Sequence, residues 1–166
     1  MQFHRGRPLA RARGLTLTEI LIVLVILALL ATFGLPTFLK YSRQGKLSTA
    51  QAALRRIAAE ESRWLESHRT YAPLSQLGYP VDSAMSALYL DTDGQLSGNA
   101  SQDSIYRVSL KLDAPSGTAG SMAYYLITAE PINSQSKETA CGILSLASTG
   151  QVGASGMQGE ATCWGK

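Results

Sequence analysis

Residues 14–35 read GLTLTEILIVLVILALLATFGL, and this stretch decides the architecture. Fourteen of the 16 residues from position 20 to 35 are apolar, and no charge occurs from Ile20 until Lys40. Twenty uncharged residues in a helix span about 30 Å, the thickness of a bilayer's hydrocarbon core. A core helix apolar on every side has no place in a domain of this size. The remaining composition agrees. The chain has 166 residues, of which 45% are hydrophobic and 16% charged. That charged share is below the ~25% of ordinary soluble domains. Disorder needs the opposite balance, and two cysteines are too few for a disulfide-dense scaffold.

Charge is placed unevenly. Arg5, Arg7, Arg11 and Arg13 precede the apolar run without an acid among them. Such a stretch stays on the cytoplasmic side of a membrane, so the chain beyond Lys40 should face the periplasm or the exterior. Without these four arginines, 11 basic residues face 12 acidic ones, and the formal charge falls from +3 to −1. The basic character therefore belongs to the leader and says little about a nucleic-acid partner. A cleaved secretory signal also starts basic and turns apolar. Here, however, no A-x-A-like site follows the run, the run is long for a signal, and Glu19 stands at its start. A carboxylate at bilayer depth needs an interface or a partner.

The string Gly14-Leu15-Thr16-Leu17-Thr18-Glu19-Ile20-Leu21-Ile22-Val23 resembles the prepilin motif of type IV pilins and type II secretion pseudopilins. The resemblance implies a cleaved leader over residues 1–14, a hydrophobic transmembrane and assembly helix over 15–39, and a periplasmic head over 40–166. It implies cleavage by prepilin peptidase between Gly14 and Leu15, N-methylation of Leu15, and pairing of Glu19 with the amino terminus of a neighbouring subunit. Pro36 falls where the family's helix carries its kink-forming proline, with Gly34 beside it, and Tyr41 follows as in many pilins. Leu15 departs from the usual Phe, which hints at a minor subunit. Glu19 also has a local reading: Thr16 and Glu19 have the spacing of a capping box at a helix start.

Past Pro36 the pattern turns amphipathic. Leu47, Ala50, Leu54, Ile57, Glu61, Trp64 and Leu65 recur at three- and four-residue spacing, opposite Lys46, Arg55, Arg56, Glu60, Arg63 and Glu66. The spacing predicts one helix over about 16–67. Loop residues follow from His68 to Pro80. Period-two alternation then predicts a strand over 104–112, with further strands at 122–129 and 143–147 and a short one at 87–90. The expected fold class is α+β: a long N-terminal helix packed on a small antiparallel sheet of three to four strands.

Cys141 and Cys163, an even pair in an exported domain, are expected to form a disulfide that closes the C-terminal loop; with no histidine near, metal ligation is the weaker alternative. The surrounding Cys141-Gly142-Ile143-Leu144, Ser148-Thr149-Gly150 and Cys163-Trp164 resemble the C-terminal region of PilE-type minor pilins. No catalytic motif is present, and the two histidines are His4 and His68, so an enzyme, a metal and a cofactor are not expected. Asp91-x-Asp93-Gly94 opens like a calcium loop but lacks its remaining ligands, which favours a plain turn. Arg107, Lys111 and Lys137 are the head's candidates for contacting DNA, against the plainer reading of a solvated surface.

The resemblance implies a minor pilin that joins or primes a type IV pilus supporting adhesion, twitching motility or DNA uptake. Its partners would be other pilin subunits of a homo- or hetero-oligomeric filament, the inner membrane, the prepilin peptidase and the pilus assembly platform. The alternatives are a secretion pseudopilin and a pilin-borne receptor for DNA or a surface. The protein would be a single-pass inner-membrane precursor and then an extracellular filament subunit.

Overall fold

The computed structural model describes residues 16–113 and 124–165, without the side chains of 33–37, 39 and 40. The expected leader, Gly14 and Leu15 lie outside the described residues. So does the expected kink at Gly34 and Pro36, although the backbone there is helical.

Helix α1 runs Leu17–His68. The chain divides into two compact units at Lys40, and the two stretches of the helix differ chemically. In the first unit the large apolar residues between Ile20 and Leu30 are each 44–65% exposed. They are apolar all round, as a helix surrounded by lipid or by other helices must be. Among the described residues no helix is long and apolar enough to cross a membrane. The span read from the sequence includes residues outside that description.

In the second unit the helix is amphipathic. Ala50, Ala53, Leu54, Ile57 and Glu61 are buried, while Arg55, Arg56, Arg63 and Glu66 face water. The expected stripe is there, with Leu47, Trp64 and Leu65 half-buried at its margins and Ala53 added to it. The helix stops as Arg69 turns left-handed (φ 60°), its amide still donating to Leu65 O at 2.9 Å.

The stripe is covered by the inner face of a six-stranded sheet in the order β2-β1-β3-β4-β5-β6, antiparallel throughout. The strands are β1 Ala87–Asp91, β2 Leu96–Ser97, β3 Ser104–Asp113, β4 Tyr124–Pro131, β5 Leu144–Ala147 and β6 Val152–Ala154. Tyr125, Ile127 and Ala129 point inward from β4, and their partners on β3, Leu112, Leu110 and Val108, share that face. The sheet is larger than the expected three to four strands. β2 and β6 are too short to display a period, and each exists only by pairing with the strand before or after its turn.

The tail ends in a short helix, α2, Gly159–Trp164. Cys141 and Cys163 are joined, with Cα atoms 5.6 Å apart. Gln51 Nε2 of α1 donates to Cys163 O, Trp164 Nε1 donates to Gly153 O at 2.9 Å, and the Arg55 guanidinium lies over the Trp164 ring at 5.8 Å. A side chain at Gly156 would collide with Ala140 O, since a Cβ there would lie 2.3 Å away. Crosslinking across 22 positions removes about 3 kcal/mol of unfolded-chain entropy. Replacing both cysteines by serine should lower the head's stability by about 2–5 kcal/mol, read as a lower urea midpoint with a somewhat steeper slope, because the unfolded chain freed of its crosslink exposes more surface.

Candidate assembly helix and head surface

At the start of α1 the Thr16 hydroxyl accepts from the Glu19 amide at 3.2 Å, and the Ile20 amide bonds Thr16 O at 3.2 Å. Thr16 thus caps the helix, which is one half of the expected capping box. Glu19 is exposed one turn along, and the large apolar residues from Ile20 to Leu30 after it are exposed too, as is Phe38. The stretch of α1 before Lys40, with so much exposed hydrocarbon and one carboxylate, is an element awaiting cover.

On the head, the outward face of the sheet carries the polar residues. Arg107 on β3 lies opposite Glu130 on β4, and their side chains form a half-exposed ion pair. The next outward row on these strands joins Ser109 and Thr128, hydroxyl to hydroxyl at 2.9 Å. Lys111 follows on the same face of β3 and is exposed, as is Lys137 in the turn after the 3-10 helix Asn133–Gln135. Arg107 and Lys111 therefore share one face as expected, but Arg107 is engaged by Glu130. That pairing depends on strand register, which residue spacing alone does not reveal.

The calcium-like stretch is a turn. Asp91 Oδ1 accepts from the amides of Asp93 and Gln95 at 2.9 and 2.8 Å, an Asx arrangement that shapes the turn. Among the described residues no cluster of three or more His, Cys, Asp or Glu could hold a metal. At the C-terminus of α1, Trp64 and His68 stack with centroids 3.8 Å apart and planes 8° apart. Their four-residue spacing was visible in the sequence, although their stacking was not.

Residues 36–145 match the family model described as "Type IV minor pilin ComP, DNA uptake sequence receptor". The chain belongs to this type IV minor pilin family. Residues 9–35 of the pilin match the prokaryotic N-terminal methylation motif, which implies a membrane-anchored precursor destined for pilus assembly. The pilin is also similar to the type IV major pilin protein PilA of Myxococcus xanthus (strain DK1622). The two are 33% identical over 80 residues, which make up 48% of this chain and 36% of that relative.

The Arg107–Glu130 pair is too exposed to hold the sheet together. Glu130→Gln should change the pilin's unfolding free energy by less than about 1 kcal/mol in urea titration, and raising salt should shrink that difference further.

Proposed function

We propose that this pilin is a minor filament subunit, made as a single-pass inner-membrane precursor with its head in the periplasm. It is cleaved between Gly14 and Leu15, N-methylated at Leu15, and then drawn into an extracellular type IV filament. The observation that carries this reading is the bare apolar helix surface from Ile20 to Leu30 with Glu19 at its start. In lipid that surface is satisfied, and in a filament the same surface is satisfied by neighbouring helices, so one hydrophobic term serves both environments. Once Leu15 carries a free amino terminus, Glu19 of an adjacent subunit is the countercharge that sets register, because a charge taken out of water needs a partner. A kink at Gly34 and Pro36, where a backbone bond is lost, would let the helix adjust as its surroundings change. The partners are the prepilin peptidase, the assembly platform and other pilins.

The expected mature chain has 152 residues and starts at methylated Leu15, which intact mass and N-terminal sequencing would read directly. A start beyond Thr32 would mean an ordinary export signal, and an intact Met1 in peptidase-positive cells would mean a plain membrane anchor. Glu19→Ala should abolish recovery of the subunit in sheared filaments while leaving the membrane pool and the oxidised head intact. Wild-type incorporation of that variant would remove the pairing role.

Within this reading the head serves DNA uptake. The family description names a DNA receptor, and the exposed cations Lys111 and Lys137 on the matched segment support contact with phosphates. Lys111→Glu with Lys137→Glu should weaken duplex binding at every sequence tested and flatten its salt dependence by roughly one unit of log–log slope per lost contact. Unchanged affinity and slope would move the DNA surface elsewhere or remove it.

A further inference from the structure

Glu61 is the one acidic side chain among the described residues that is fully buried, at 0% exposure. Its Oε2 accepts from the Ala72 amide at 3.1 Å, and its Oε1 has no hydrogen-bond partner among the described residues. Ala72 belongs to the connection between α1 and β1, residues 69–86, and with Leu74 and Tyr79 it is buried against the helix side of the head. The hydrogen bond at Ala72 is therefore a polar tie between α1 and this connection inside the core.

We propose that Glu61 is a proton-operated latch for that connection: the neutral acid holds residues 71–79 down on the helix, and the carboxylate loosens them. The argument is one of missing partners. No ion pair reaches Glu61 among the described residues: Arg63, the nearest cation in sequence, is exposed to water, and Arg56 is engaged with Glu60. The ionisable groups facing it from the packed elements are phenols. These are Tyr125 of β4, whose hydroxyl is pushed up to about 12 by burial, by Tyr71 and by Glu61 itself, and Tyr71, which meets Tyr125 edge to face at 4.7 Å. A buried negative charge with one amide donor and no cation is poorly solvated, so burial holds the Glu61 carboxyl above its ordinary 4.5 despite the Ala72 hydrogen bond. Ionisation leaves an uncompensated charge whose route to water is displacement of the segment that covers it.

The sign follows from linkage. A carboxyl whose pKa is raised in the closed state stabilises that state fully below its free value. The advantage falls as pH rises and is gone once pH passes the closed-state value. In the full mature chain in detergent micelles, two measurements test this. The first is amide hydrogen exchange at Ala72 and its neighbours from pH 4 to 8, corrected for intrinsic rates. The second is the side-chain carboxyl 13C shift of Glu61. The carboxyl should titrate above 4.5. Ala72 protection should fall about tenfold per pH unit between 4.5 and that midpoint and level off above it. Glu61→Gln keeps an acceptor for Ala72, and its protection profile should be flat across the range. A flat wild-type profile, the same decline in Glu61→Gln, or a Glu61 midpoint at or below 4.5 would each overturn the proposal. If the variant does not fold, the wild-type carboxyl midpoint and the wild-type exchange profile still decide it.

Discussion

The head exists because one stripe of α1 cannot be left in water. Ala50, Leu54 and Ile57 are fully buried at three- and four-residue spacing, and each large apolar side chain so covered contributes about 1.5–3 kcal/mol. What covers them is the inner face of the sheet, with Val108, Ile127 and Leu144 equally buried in the same cluster. An isolated antiparallel sheet of short strands is marginal, as is an isolated amphipathic helix. Each supplies the cover the other lacks, and the strand order, the register and the disulfide-closed tail are arrangements around that contact. The residues of α1 preceding Lys40 obey a different rule: they have no polar side, so they take their cover from lipid or from other helices.

Much of this was legible in the sequence for a simple reason. Long elements with one face buried write a period into the chain. The upper half of α1 shows it over five turns, and β3 shows it from Tyr106 to Leu112 without interruption, so both were readable within a residue or two. β2, β6 and α2 contain two, three and six residues, less than any period needs, and their existence is a tertiary fact. The N-terminal methylation motif was readable for another reason: its match is a linear string over residues 9–35, so its information is local by nature.

The side chains of the head surface were legible only in kind. Arg107 and Lys111 could be placed on a common strand face from their spacing, but whether either is free depends on what the neighbouring strand places opposite. Register puts Glu130 beside Arg107. Glu61 shows the same limit from the other side. Its position in the apolar stripe of α1 was visible, yet nothing local indicates that Ala72, 11 residues on, folds back to donate to one of its oxygens and leaves the other alone. Burial of a charged residue is decided by the covering segment.

The bond between Cys141 and Cys163 encloses β5, β6 and α2 in a covalent ring. Because the ring closes at the tail, a protease that severs any single peptide bond between the two cysteines releases no fragment. The nicked protein keeps its intact mass plus one water, migrates as one species without reductant, and separates into two pieces only when the disulfide is reduced. A cut within this ring is thus silent in an oxidising environment, and becomes visible only after reduction.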